Sequence, residues 1–193
     1  RLRPERTHLE EVDLFDLKRS LVTVHSLVEF FTKSENDEDG SAEGNHKYPT
    51  LAELAGNVQC FPQIIQRIDN VLNKYGKVKD TASKELLTIR HSIEVNTRTL
   101  SHSLRSIIQQ AQQEGYIDRD VSPTLRDGRL VIPVSPTVKR KIRGIVHDES
   151  ATGKTVFIEP TTVVEANNKI RELKAQERRE VIRILQELSA EIR

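Results

Sequence analysis

Apolar residues recur at three- and four-residue steps from about Asp13 to Phe31. Leu14, Leu17, Leu21, Val24, Leu27, Val28 and Phe31 fall on one face of a predicted helix. The period then stops. Residues 33–48, KSENDEDGSAEGNHKY, hold too little apolar surface to offset their ordering entropy and predict a mobile acidic loop. Thr50 and Glu53 match a capping box ahead of a short helix carrying Leu51, Leu54, Ala55 and Val58. A second short helix follows Phe61-Pro62, with Ile64, Ile65, Ile68, Val71 and Leu72 inward. Lys74 to Lys77 read as a turn and Asp80 to Ser83 as a cap region. From there a long helix is predicted to run to Glu114 and stop at Gly115. Its seam is Leu86, Ile89 or Arg90, Ile93, Asn96 or Thr97, Leu100, Leu104, Ile107 and Ala111. Such a helix is roughly 45 Å long, with a kink or break expected where Val95, Thr97 and Thr99 weaken its middle.

Past Gly115 the period shortens. Arg129–Val134, Lys141–Asp148 and Thr155–Glu159 are short and β-branched, and predict three strands. Asp127-Gly128 signals a tight turn before the first, and residues 149–154 a hairpin loop between the last two. Alternation puts Val138, Arg140, Ile142 and Val146 on one face, and Lys139, Lys141 and Arg143 on the other. Pro160-Thr161 opens a second long helix reaching the end of the sequence, with Val163, Ala166, Ile170, Leu173, Val181, Ile184, Leu188 and Ile192 on its stripe. Between Leu173 and Val181 only Glu177 falls on that stripe, so this stretch is expected to face solvent on nearly all sides. The fold class is therefore mainly α: a helical core with two long helices and a small β element at about residues 129–159. The predicted segments are 1–115 (helical, with the acidic loop), 116–160 (β) and 161–193 (the start of a long helix).

Composition narrows what this chain does. With 30 Lys+Arg against 29 Asp+Glu in 193 residues the net charge is +1. That balance hides a division. Residues 1–60 carry 7 basic and 12 acidic side chains, and residues 61–193 carry 23 and 17, so only the second part suits a polyanionic partner. No apolar run approaches the roughly 20 residues of a membrane-spanning helix. A single cysteine, Cys60, excludes an intrachain disulfide or a CxxC metal site. A reducing cytoplasmic setting is expected, and the lack of methionine suggests an internal piece of a longer protein.

Three motif matches dissolve on inspection. Asp148 to Thr155 resembles the end of a phosphate-binding loop, GxxxxGK[ST], but the first glycine position is an aspartate and the residues after Thr155 continue as strand, not helix. Phe157-Ile158-Glu159 matches the Phe-x-Glu wedge that stacks on a mismatched base. A wedge must be exposed, whereas Phe157 alternates as a core position. His147, Asp148 and Ser150 hold the residue types of a hydrolytic site, but neighbours on a strand point to opposite faces and do not converge. The other five histidines have no metal-ligand spacing. No catalytic, cofactor-binding or metal-binding constellation is expected in this chain.

The basic features are the candidate site. Lys139, Arg140, Lys141 and Arg143 place four charges in five residues. Arg171, Lys174, Arg178, Arg179 and Arg183 lie along the last helix, interleaved with Glu172, Glu177 and Glu180 in a pattern that predicts i,i+4 pairs on an exposed face. Lys139, Arg140, Lys141, Arg143, Arg178 and Arg179 are the predicted nucleic-acid contacts, through phosphate. Five Phe, three Tyr and no Trp leave little for a base-stacking platform.

The stretch TLRDGRLVIPVSPTVKRKIRGIVHDESATGKTVFIEPTTVVEANN, Thr124 to Asn168, resembles the core domain of MutS-type proteins. Within that family it resembles the bacterial paralogue branch, the endonuclease or mismatch-repair-like MutS proteins. The carrying motifs are Arg126-Asp127-Gly128-Arg129 to Pro133-Val134, Gly144 to Asp148, Ser150 to Gly153, and Phe157-Ile158-Glu159-Pro160. Lys79 to Ser83, with Arg90, and Leu2-Arg3-Pro4 extend the likeness over nearly the whole chain.

The resemblance implies a helical core with lever arms that join a DNA-gripping clamp to a C-terminal ATPase domain, working as a homodimer. ATP and Mg would bind in the parent protein, whose ATPase and possible nuclease residues have no positions here; the family's own phosphate loop lies beyond Arg193. The branch lacks the mismatch-reading domain and is associated with control of recombination. The implied partner is DNA, with rRNA in collided ribosomes or a purely structural helical dimerisation scaffold as the alternatives.

Overall fold

The computed structural model describes residues 7–33 and 48–192. The predicted acidic loop, but for its end residues, and Leu2-Arg3-Pro4 lie outside them. Two compact units make up the chain: Arg1–Lys84 with Val181–Arg193, and Glu85–Glu180. The predicted 116–160 segment falls within the second unit, while 1–115 and 161–193 each run through both. No helix among the described residues is long and apolar enough to cross a membrane.

In the first unit, α1 (Glu11–Thr32) packs against α2 (Pro49–Gly56) and α3 (Pro62–Val71). Glu10 and Asp13 form a reciprocal capping box at the start of α1. The predicted apolar face of α1 is only partly covered. Leu14 is fully buried, but Leu27 remains 52% exposed. Helices of 8 and 10 residues cannot cover the stripe of a 22-residue one. The capping box predicted at Thr50 is absent, because Pro49 opens α2 and places Thr50 inside it, with Tyr48 at the cap. The face turns accordingly: Ala52 and Ala55 are buried, while Leu51, Leu54 and Val58 are exposed. Glu11 fastens the unit by accepting from the Val78 N–H at 3.0 Å and from Lys77 Nζ at 2.6 Å.

The second unit is built on α4 (Lys84–Gln113), which continues unbroken through Val95, Thr97 and Thr99. No break forms there. Low propensity costs a few tenths of a kcal/mol per residue, less than burying Leu100 and Leu104 returns. The helix ends in a Schellman motif: Tyr116 N–H donates to Ala111 O at 2.8 Å and Gly115 N–H to Gln112 O at 3.1 Å. Gly115 has φ +74°, with open space where a Cβ would lie. Gly115→Ala is therefore expected to cost about 1 kcal/mol from backbone strain alone, lowering the Tm by about 5 °C. Gly115→Asn should recover part of that loss, and an alanine variant as stable as the parent would contradict this ending.

Four antiparallel strands follow: β1 (Thr124–Arg126), β2 (Arg129–Val134), β3 (Gly144–Glu149) and β4 (Val156–Pro160), in the order β1-β2-β4-β3. Asp127 and Gly128, both at positive φ, make the two-residue hairpin between β1 and β2. β1 was not among the predicted strands. Ile132, Val134, Val156 and Ile158 pack with Leu100, Leu104 and Ile108 into one core. After a 3-10 turn at Thr161–Val163, α5 (Val164–Ile192) completes the fold. The stretch of α5 expected to be bathed in solvent is anchored instead: Glu177 pairs with Arg90 at 2.7 Å, and Glu180 is buried.

Candidate nucleic-acid interface

The four clustered cations sit on a turn, which corrects their predicted placement on a strand. Pro136 opens a 3-10 turn after β2. Three successive backbone bonds, from Val138, Lys139 and Lys141 N–H to Ser135, Pro136 and Val138 carbonyls, wind the chain onward. β3 begins only at Gly144, so the strand alternation assigned to Val138 through Arg143 does not apply. Ile142 is buried and anchors the turn, while Lys139, Arg140, Lys141 and Arg143 are all exposed. The far end is tied down by Thr161 N–H, which donates to Arg143 O at 3.0 Å. Rigid backbone with outward cations is the arrangement that phosphate contact needs. Lys141 Nζ lies 5.0 Å from the centroid of the Tyr116 ring.

Arg178 and Arg179 are also exposed, but about 20 Å along α5 from its start at Val164. The helix does not bring them to the turn. No acid lies three or four residues from either along α5, and Glu177 beside them is turned to Arg90.

Sequence reasoning missed a buried polar network beside the turn. Glu159 on β4 has no exposed surface. Its Oε1 accepts from Arg129 Nη1 and from Asn167 Nδ2, both at 2.7 Å, and its Oε2 accepts from His147 Nε2 at 2.5 Å. A carboxylate only accepts, so His147 carries its proton on Nε2. A β-bulge turns His147 toward this site: Val146 pairs with Ile158 but Asp148 with Phe157, leaving His147 as the extra residue. Asn167 also donates to Leu130 O and accepts from Leu130 N–H, each at 3.0 Å. In the β2–β4 register the residue opposite Leu130 is Pro160, which has no N–H to give. The Asn167 amide takes the place of that missing ladder step and fastens α5 to the sheet. Arg129 Nη2 reaches Asn168 Oδ1 at 2.7 Å and adds a second tie.

The decoys take ordinary structural places. Gly153-Lys154-Thr155 lies in the hairpin between β3 and β4, closed by Ser150 N–H to Thr155 O and Gly153 N–H to Ser150 O, both at 2.8 Å. With strands on both sides it offers no helix end to a triphosphate, so these residues do not fit the ATP that the family resemblance implies for the parent. Phe157 is buried under the Arg126 guanidinium, 4.1 Å from its ring centroid, and cannot wedge into a base stack. Ser150 bonds within its own loop and does not approach the His147–Glu159 pair as a nucleophile would.

No protein-family model matches the chain. Curated proteins named Endonuclease MutS2 do. The one from Pelotomaculum thermopropionicum is 40% identical over 144 residues, 75% of this chain and 18% of its own length. That of Alkaliphilus oremlandii is 32% identical over 186 residues, 96% of this chain and 22% of its own. That of Enterococcus faecalis is 35% identical over 185 residues, 95% and 22%. The chain thus spans about a fifth of the length of the curated relatives it matches.

Proposed function

Because the chain belongs to the MutS family, on its MutS2 paralogue branch, we propose that it serves as the core and lever segment of a DNA-associated protein. Its work is mechanical. It passes the rearrangement of a nucleotide-dependent, dimer-forming domain elsewhere in the parent to a clamp that holds DNA. The supporting observation is the rooting of α5: Asn167, Asn168 and Arg129 tie the base of a 29-residue helix, about 43 Å long, to a sheet through Glu159. A long helix transmits displacement only if its base cannot slip.

The test belongs in the full-length parent. Asn167→Leu should leave ATP hydrolysis unchanged and remove the effect of ATP on DNA release. Unaltered coupling in that variant would sink the lever reading.

Nucleic-acid contact falls to Lys139, Arg140, Lys141 and Arg143, with Arg178 and Arg179 as a separate patch. Each phosphate neutralised steepens the salt dependence, with a slope of about −0.9 per contact on duplex DNA. Charge reversal at Lys139, Arg140 and Lys141 is expected to flatten log Kd against log salt by about 2 to 3 units. An unchanged slope would assign these cations to solvent and favour a purely structural scaffold.

A further inference from the structure

The basic turn forms one wall of a groove. In the Glu85–Glu180 unit an open cleft of about 390 Å³ runs between the last turns of α4, Tyr116, residues 141–143 and the segment Pro160–Thr162. That volume lies within the range of ligand-sized clefts, about 300–1,000 Å³. Its chemistry is divided. Ile107, Ala111 and Ile142 supply an apolar floor, Tyr116 an aromatic ring, and Lys141 and Arg143 two cations. The single acid of the lining is Glu114, whose carboxylate accepts from Gln110 Nε2 at 3.1 Å. Tyr116 is held there by the Schellman ending of α4, since the positive φ of Gly115 turns the chain back toward the helix.

We propose that this groove holds one unpaired nucleotide: its base against Tyr116 and the aliphatic floor, its phosphate against Lys141 and Arg143. The proposal rests on the reading of the 139–143 turn as a nucleic-acid contact and goes beyond it. A bare anion would leave the apolar floor in water. A duplex has its base faces stacked away and would meet only the rim. An unpaired nucleotide offers both a flat apolar face and an anion. Lys141 adjoins both ends, since its Nζ lies 5.0 Å from the Tyr116 ring centroid and would swing from the ring to a phosphate as a base takes its place. Only three tyrosines and no tryptophan are present in the chain. That excludes a platform for a run of bases but not a slot for one.

The test uses the full 193-residue chain with fluorescein-labelled dT12, a duplex of equal length, and dTMP as competitor, read by anisotropy. The expected result is tighter binding of dT12 than of duplex. Tyr116→Ala should weaken dT12 by about tenfold and duplex by less than about twofold, whereas Tyr116→Phe keeps the preference. Since the alanine variant removes a half-buried ring, a second measurement uses the unaltered chain: dT12 carrying 5-iodouracil should photo-crosslink to Tyr116. Competition by dTMP as strong as that of unlabelled dT12 would support the slot and identify a free nucleotide as its occupant. Equal affinity for dT12 and duplex, with crosslinks away from Tyr116, would overturn the slot and leave the charged turn standing. No salt-dependent binding to either probe would overturn both.

Discussion

Glu159→Ala is expected to destabilise the Glu85–Glu180 unit by about 3–5 kcal/mol, read as a lower urea midpoint at unchanged slope. The reason is what the carboxylate leaves behind. Arg129 has a side chain only 15% exposed and would lose its counter-charge. Asn167 would keep its two bonds to Leu130 but lose the acceptor for its second amide hydrogen. His147, aimed inward by the bulge, would face an empty site. Glu159→Gln should cost less, since one amide oxygen still accepts, but its NH₂ must then face a donor. Replacing Glu159 and Arg129 together by leucine should cost less than Glu159→Ala alone, because no unpaired charge remains. A loss under about 1 kcal/mol for Glu159→Ala would mean that the network does not hold the base of α5. The lever reading would then lose its support.

The helices were legible because burial follows the 3.6-residue period: Leu86, Ile89, Leu100, Leu104 and Ala111 all lie on the predicted seam of α4. β2 and β4 were legible as β-branched runs. The strand predicted from Lys141 was not, because alternation of charge and apolar residues at 139–143 imitates a strand while Pro136 winds the chain into a turn. Thr50 imitated a cap because the pattern ignores the proline before it. The family was readable from residues 124–168, yet the Glu159 network inside that stretch was not. The bulge that delivers His147 has no sequence signature. One signal was available. Glu159 interrupts the otherwise apolar strand Val156–Pro160, and an acid in such a strand needs a cationic partner. The groove was illegible for a different reason: its walls come from α4, the basic turn and the Pro160–Thr162 segment, and only the folded chain brings them together.

Gly144→Ala is expected to cost about 3 kcal/mol, although it adds a single methyl group. A Cβ at that position would lie 2.4 Å from Glu159 O, 2.6 Å from Ile158 Cγ2 and 2.9 Å from the Glu159 carbonyl carbon. Two of these atoms are backbone and cannot rotate away, and Ile158 is itself fully buried. β3 is an edge strand paired only with β4, so the relief available is to lift its first residues from the sheet. That movement carries Arg143, whose carbonyl accepts from Thr161 N–H, away from the groove rim. Stability and the preference for dT12 over duplex should therefore fall together in this variant, whereas Gly115→Asn should largely keep both. Combined with Glu159→Ala, the loss should be less than additive, because each change already loosens β3 from β4 and the second finds less left to break. Full additivity would show that the two sides of Glu159, its carbonyl against Gly144 and its carboxylate against Arg129, act independently. The network could then be altered without disturbing the turn that carries the cations.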